Sequence, residues 1–142
     1  MTILEKIFAY GHENILCTHT TTIELTKESH ITNRGNCILG INASKSCIDL
    51  NPILKENIKN EKKILVSVRI ENLIDSFYGF GNKYLTLLDK QDLVFRKSDY
   101  ICDRTVLINC TKSSSDINRN LIKRLKNSKT KFSIIFETDD DN

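Results

Sequence analysis

The sequence predicts a single, mainly β domain with two helices, spanning residues 1–142. Several segments alternate apolar and polar residues with the period of two that is typical of a half-buried strand, and Lys63 to Ile70 is the clearest. Two other segments follow Ser-containing turns and have helical character. A chain of 142 residues also suits one hydrophobic core. An α+β arrangement is the alternative class.

Three strands and a helix are predicted in the first half. Gly11 interrupts a run of aromatic and β-branched residues, which indicates a bend or bulge in the first strand. In the second strand Ile23 and Leu25 alternate with Glu24, as on a half-buried strand. Pro52 lies near the helix start, where proline is tolerated. The predicted strands are Leu4 to Cys17, Thr20 to Glu28 and Cys37 to Ala43, and the helix is Asp49 to Lys59.

The second half is predicted to begin with the strong strand Lys63 to Ile70, followed by a loop at Gly79 to Asn82. The later extended pieces are Tyr84 to Leu88, Leu93 to Arg96 and Arg104 to Cys110. They precede a helix from about Asp116 to Asn127 and a final strand, Lys131 to Glu137. Residues 138–142 form an acidic tail that we expect to be solvated.

Composition indicates a soluble protein, and we expect it in the cytoplasm. No apolar run approaches the roughly 18 to 20 residues that a membrane-spanning helix needs, so no membrane partner is expected. The amino end lacks a positive region ahead of its apolar residues, which argues against a signal peptide. Five cysteines without a Cys-x-x-Cys pair favour reduced thiols and predict no metal site. The net charge is +3, and six basic residues without an acid lie between Ile117 and Lys131.

An internal repeat appears when the chain is compared with itself at an offset of 67 residues. Residues 37–51 then align with residues 104–118 without a gap, and six of the fifteen positions are identical. Weaker matches upstream pair residues 11–14 with residues 79–82, and residues 23–25 with residues 85–87. We therefore expect two diverged copies, at approximately 11–60 and 79–128, within one domain.

Each copy contains a Lys-Ser turn ahead of its helix. Ser46 with Asp49, and Ser113 with Asp116, have the spacing of a capping box, which needs no ligand. Lys45 and Lys112 add a point charge beside free N–H groups, a combination that binds phosphate or carboxylate. If the two turns faced one cleft, they would form a two-pronged anion site. Arg104 completes the candidate ligand-binding set, which is Lys45, Ser46, Lys112, Ser113 and Arg104.

Three functions are compatible with this pattern. The favoured one is binding of a phosphate-bearing ligand, a nucleotide or RNA, so an anionic ligand or nucleic acid is the expected partner. The alternative is an enzyme that uses His12 or His19 with Glu24 for acid–base or metal-assisted chemistry, because histidine beside a carboxylate suits both tasks. The third is a structural subunit of a complex. The sequence identifies neither a cofactor nor an oligomeric state.

Four segments of the chain resemble the archaeal family catalogued as domain of unknown function 371. They are Gly11 to Asn14, Thr18 to Glu28, Arg34 to Ser46 and Leu93 to Thr105. The resemblance runs from Tyr10 to about Leu125 and implies a jelly-roll-like β-sandwich with two helices, without an activity. The family pattern favours Ala-Asp-Lys-Ala where this chain has Ala-Ser-Lys-Ser at 43–46. That departure weakens a metal–carboxylate site at these turns and leaves Lys45 and Lys112 in place.

Overall fold

The computed structural model describes residues 1–139, so residues 140–142 of the predicted acidic tail lie outside the described part. The strands are β1 Thr2–Tyr10, β2 Thr22–Thr26, β3 Ile38–Gly40, β4 Lys63–Ile70, β5 Leu73–Phe80, β6 Asp92–Arg96, β7 Thr105–Leu107 and β8 Lys131–Thr138. The helices are α1 Pro52–Lys59 and α2 Arg119–Leu125, each preceded by a short 3₁₀ turn, Cys47–Asp49 or Ser114–Asp116. The described residues contain no helix that is long and apolar enough to cross a membrane.

The eight strands form two four-stranded sheets, in the orders β1-β8-β4-β5 and β3-β2-β6-β7. The mainly β prediction with two helices is therefore confirmed. All pairs in the first sheet are antiparallel, whereas β2–β3 and β6–β7 in the second sheet are parallel. The two sheets agree with the expected jelly-roll-like sandwich. The parallel pairs β2–β3 and β6–β7 depart from it, because the strands of a jelly roll pair antiparallel.

Two single bridges join the sheets at their edges. Tyr10 at the end of β1 pairs with Ile41, just after β3, and Phe80 at the end of β5 pairs with Ile108, just after β7. The interior between the sheets is mainly Ile, Leu and Val, with a small aromatic cluster in which Phe95 of β6 contacts Phe77 edge-on and stacks on Phe136. These bridges cover part of the outer edges of β1 and β5, and covered edges are less prone to pair with another chain.

The order strand-strand-strand-3₁₀-helix-strand occurs twice, from β1 to β4 and from β5 to β8. If β1 to β4 are exchanged with β5 to β8, each sheet keeps the same strand order, read from its other edge. The loop between β2 and β3 is three residues longer than the loop between β6 and β7, so the offset is 70 residues up to β2, 67 from β3 to the start of the helix, and 68 between β4 and β8. Gly11 therefore corresponds to Gly81 and Ile23 to Leu93, which corrects the upstream matches expected from the sequence.

The predicted elements differ from the structure mainly around β5. The segment Leu73–Phe80 is a strand that the sequence analysis did not predict, and residues 84–88 are not a strand. The first strand ends at Tyr10 rather than bending at Gly11. Gly11 instead packs against the end of α2, where a Cβ would lie 2.2 Å from the Leu125 carbonyl oxygen. In the other half Gly81 meets the Ile58 carbonyl of α1 in the same way, at 2.1 Å. Each glycine thus lets a chain segment approach the helix of the opposite half.

Candidate functional site

The first Lys-Ser turn is already bound to an acid of the same chain. The Lys45 ammonium contacts both carboxylate oxygens of Glu5 in β1, at 3.0 and 3.1 Å. Glu5 Oε2 also accepts the backbone N–H of Asn51, the residue that caps α1, at 2.8 Å. A carboxylate held by a lysine and a helix-end N–H occupies the position expected for an external anion. The turn therefore anchors β1 to the start of α1.

The second turn repeats this arrangement with other residues. Lys112 Nζ lies 2.5 Å from Asp75 Oδ1 in β5, and Asp75 Oδ2 accepts the Asn118 N–H at 2.8 Å. The two lysines thus occupy equivalent backbone settings, with Ser46 and Ser113 both extended, at φ −109° and −116°. They do not face a common cleft, however, because β1 and β5 are the opposite outer strands of the first sheet. Three strand spacings separate them, about 14 Å.

Ser46 and Ser113 form the capping boxes that their spacing predicts, but these cap the 3₁₀ turns, whereas Asn51 and Asn118 cap α1 and α2. Each forms a capping box with the aspartate three residues later, and the serine N–H donates to that aspartate at 3.0 and 2.9 Å. Lys27, together with the Ser46 N–H, lowers the pKa of Asp49 to about 2, and the Ser113 N–H, together with Lys97, does the same for Asp116. The serine hydroxyls donate to the same carboxylates, so they are engaged within the turn.

The two candidate histidines each hold a turn. His19 Nδ1 accepts the N–H groups of Thr21 and Thr22, at 3.2 and 3.3 Å. In the other half, Asp89 Oδ2 accepts two N–H groups at the corresponding positions. A histidine that replaces an aspartate in this way performs a structural task.

His12 is buried and occupies the position of Asn82 in the other half. Its Nδ1 accepts the Asn14 N–H at 3.0 Å, just as Asn82 accepts the Tyr84 N–H at 2.9 Å. His12 Nε2 lies 3.4 Å from His30 Nδ1, so in the neutral ring Nε2 carries the proton toward His30. A metal at Nε2 would require the opposite tautomer. Among residues 1–139 no group of three or more His, Cys, Asp or Glu is placed to hold a metal ion.

Glu24 and Arg104 are the two candidates that the structure brings together. Arg104 Nη1 lies 3.2 Å from Glu24 Oε1 and 3.1 Å from Asp92 Oδ2, so one guanidinium bridges two carboxylates. Burial of Glu24 and the nearby charge of Asp92 raise the pKa of Glu24 to about 7, although Arg104 opposes them. This cluster lies on the outer side of the second sheet and includes neither histidine among its hydrogen bonds.

Cys102 lies close to the same cluster, and sequence reasoning did not single it out. Although partial burial opposes ionisation, the Thr105 hydroxyl, the Arg104 backbone and the Arg96 guanidinium lower the pKa of Cys102 to about 7. Arg96 Nη2 lies 3.4 Å from the Cys102 sulfur, and Arg96 Nε donates to Thr105 at 2.7 Å. The sulfur therefore sits in an electropositive environment that favours the thiolate.

Some basic side chains of the 117–131 stretch bond to other parts of the fold, and others lie on its surface. Arg119 donates to the carbonyls of Ile117, Cys17 and Ser114, and Lys126 donates to the Ile15 carbonyl. Arg124 pairs with Glu71. These three side chains fix loops of the fold. Lys131, in contrast, lies on the outer face of the first sheet.

That outer face, here called the open face, is formed by three rows of side chains across the first sheet. Register places Phe8, Ser133, Arg69 and Ile74 in one row, Lys6, Ile135, Ser67 and Ser76 in the next, and Glu137, Leu65 and Tyr78 in the third. Lys131 and Lys63 extend the face at its ends. Its four strands thus present the cations Lys6, Lys63, Arg69 and Lys131 against one acid, Glu137.

Two lysine–aromatic pairs that recur in both halves lie on the open face, one at each outer strand, and Phe8 has a second lysine, Lys6, whose ammonium is 5.1 Å from its ring centre. The Lys131 ammonium is 4.5 Å from the centre of the Phe8 ring, and the Lys63 ammonium is 4.3 Å from that of Tyr78. The rings remain 37% and 38% exposed, respectively. Phe8 corresponds to Tyr78 and Lys131 to Lys63 between the two halves. A pocket of about 290 Å³ adjoins Phe8 and Lys131, and one of about 350 Å³ adjoins Tyr78 and Lys63.

The fold and these contacts define a mainly β protein of two joined sheets. Its two halves repeat the same Lys-Ser turns, the same lysine–carboxylate ion pairs and the same lysine–aromatic pairs on the surface. The chain belongs to the family described as domain of unknown function (DUF371), whose model matches residues 7–139. It is also similar to an uncharacterized protein of Methanocaldococcus jannaschii, 48% identical over 123 residues that cover 87% of this chain and 91% of that protein. The resemblance inferred from the sequence is confirmed, and the comparisons support only a protein of unknown function.

Proposed function

We propose that the protein binds single-stranded nucleic acid, RNA in particular, on the open face of its first sheet. The observation that carries the proposal is the pair of exposed aromatic rings, Phe8 and Tyr78, each with a lysine beside it. Bases of a single strand stack on such rings, while lysines neutralise the adjoining phosphates. The ligand class predicted from the sequence is retained, but its binding position moves from the Lys-Ser turns to this face.

The charges of the open face support a polyanion as its partner. Four strand cations and one strand acid leave an excess of three positive charges, which becomes two when Lys62, Glu71 and Asp139, which line the two pockets, are included. The lysines of the two turns are unsuited to this task, because a ligand would first have to displace Glu5 or Asp75. Arg69 and Lys6, by contrast, are exposed on the same face as the two rings.

The two alternative functions have less support. Acid–base catalysis by His12 or His19 with Glu24 would need these groups in one place, and both histidines hold turns with Nδ1. A structural subunit would offer an exposed apolar patch or an unpaired strand edge; Ser44 bonds to Phe8 of β1 and Thr111 to Tyr78 of β5, so those edges are partly covered, whereas Ile3 and Ile74 of the first sheet are exposed. A cytoplasmic location remains a prediction from the sequence, and it is compatible with the proposed function.

The test is fluorescence anisotropy with a labelled octauridylate, which does not pair with itself. We expect Phe8→Ala and Tyr78→Ala each to weaken binding, by about 1–3 kcal/mol for a lost base stack. Tyr84→Ala is the matched control, because Tyr84 is 68% exposed and has the Lys83 ammonium 5.2 Å from its ring centre, but lies outside the first sheet. Unfolding curves for each variant check that the fold is retained.

The lysines are tested through salt dependence. Lys63→Gln and Lys131→Gln should each lower the slope of log affinity against log salt by about 0.7, the value for one phosphate contact on a single strand. Lys90→Gln, at an exposed loop position, should leave the slope unchanged. If the control variants weaken binding as much as the open-face variants do, the proposed surface is wrong. If octauridylate does not bind even at low salt, the proposed function is wrong.

A further inference from the structure

We propose that one continuous strand reaches both lysine–aromatic pairs at once, so that the ligand is an oligonucleotide of about four to six nucleotides or more and not a mononucleotide. This inference rests on the proposed function and adds the size of the ligand. The two pairs occupy equivalent positions in the two halves, with ring-to-ammonium distances of 4.5 and 4.3 Å, although Phe8 also has Lys6 at 5.1 Å. A mononucleotide can occupy only one of them.

The strand register sets the distance between the pairs. Phe8 shares a row with Arg69, and Tyr78 shares a row with Leu65, four residues away along β4. Four residues along a strand and three strand spacings across the sheet give a diagonal of about 19 Å. At about 3.4 Å per stacked nucleotide this span corresponds to about six nucleotides, and fewer in a splayed strand.

The surface between the rings suits a sugar–phosphate backbone. Arg69 and Lys6 supply cations, and the hydroxyls of Ser67 and Ser76, 3.0 Å apart, supply polar groups near the middle of the face. Glu137 pairs with Leu65 as Arg69 pairs with Ser133, so this acid holds the position equivalent to Arg69, lies equally close to the line between the rings and partly offsets the positive charge there. A strand that runs from one ring to the other therefore crosses Ile135 and Ser67 in the middle row and has Lys6 and Arg69 on its two sides.

Simultaneous contact with both pairs makes the second stacking event intramolecular. Affinity then rises steeply at the length at which the strand first spans both rings, because the bound end holds the other end at a high effective concentration. Below that length a ligand binds either pair separately, and loss of one ring removes only one of two similar sites. Above it, loss of either ring removes the bridged mode altogether.

The experiment measures the affinities of labelled di-, tetra-, hexa- and octauridylate for the intact protein, Phe8→Ala, Tyr78→Ala and the control Tyr84→Ala. We expect a step in affinity of about 10-fold or more between di- and octauridylate, beyond the gradual increase with charge. Each open-face variant should weaken octauridylate by about 5- to 100-fold but diuridylate by only about 2-fold. The two single variants should have similar octauridylate affinities.

The outcomes separate the two proposals. A gradual rise with length, together with equal losses for short and long ligands in both ring variants, overturns bridging and leaves the binding face intact. A loss confined to one ring at every length also overturns it. Absence of binding at all lengths at low salt overturns the proposed function together with this inference. Retained affinity in the double variant Phe8→Ala/Tyr78→Ala shows that the ligand binds elsewhere and overturns both.

Discussion

Replacing Glu24 by Gln should remove a pH dependence of stability that one buried carboxyl group produces. Glu24 is 8% exposed, and burial together with the charge of Asp92 raises its pKa from 4.5 to about 7 in the folded protein. The folded state therefore binds more protons than the unfolded state between these two values, so the stabilising contribution of Glu24 is fully present below pH 4.5 and is lost as pH rises through 7. The change is about 3 kcal/mol, from roughly 2.5 pKa units at ~1.36 kcal/mol each.

Urea unfolding of the intact protein and of Glu24→Gln at matched pH values, from 4 to 8, measures this contribution. Glutamine keeps the shape of the protonated side chain but does not titrate, so other ionisable groups largely cancel when the two free energies are subtracted. The intact protein should lose about 3 kcal/mol relative to the variant across this range. A difference that stays constant with pH, or that grows in favour of the intact protein, would refute the assignment of a raised pKa to Glu24.

The remaining predictions concern the turns. Lys45→Met should cost about 2 kcal/mol by urea unfolding, because it leaves the Glu5 side chain, only 5% exposed, without its cation. Lys112→Met should cost less, about 1 kcal/mol, since the Asp75 side chain is 12% exposed. Both variants should bind octauridylate with the affinity of the intact protein. A loss of affinity in a folded Lys45→Met variant would show that the anion binds at the Lys-Ser turn and not on the open face. His19→Ala should cost about 1 kcal/mol, whereas His19→Asp, which copies Asp89, should cost less than half of that. Equal losses in both His19 variants would contradict the turn-holding role.

Local pattern was sufficient to predict several parts of the fold. The alternation in Lys63–Ile70 predicted β4 correctly, and the Ser-to-Asp spacing predicted both capping boxes. These features depend on residues within a few positions of one another. The strand Leu73–Phe80 was missed because Asp75, Ser76 and Gly79 interrupt its apolar pattern. Each has a reason in three dimensions: Asp75 binds Lys112, Ser76 bonds to Ser67, and a Cβ on Gly79 would lie 2.8 Å from the Cys110 sulfur.

The candidate site could be predicted only in part, because its partners are distant in sequence. The Lys-Ser turns were recognised, but Glu5 and Asp75, which occupy them, lie 40 and 37 positions earlier in the chain. Glu24 and Arg104 were both selected without any expectation that they meet. The open face was not predicted, because Phe8 and Lys131 come from β1 and β8 at opposite ends of the chain. The sequence showed no aromatic run, since strand pairing supplies the proximity of rings and cations.

Features that recur in both halves fall into two groups. The first group is required by the fold. The capping boxes and the ion pairs Lys45–Glu5 and Lys112–Asp75 give partners to polar groups, and Gly11 and Gly81 allow close contact with the opposing helices. The lysine–aromatic pairs are exposed, and such an interaction contributes only about 0.5–1 kcal/mol at a surface. The fold therefore has little need for a lysine beside Phe8 and again beside Tyr78. Binding of a ligand at the surface explains the presence of both lysine–aromatic pairs. For this reason the proposed function is assigned to the open face and not to the Lys-Ser turns, whose lysines are already paired with Glu5 and Asp75.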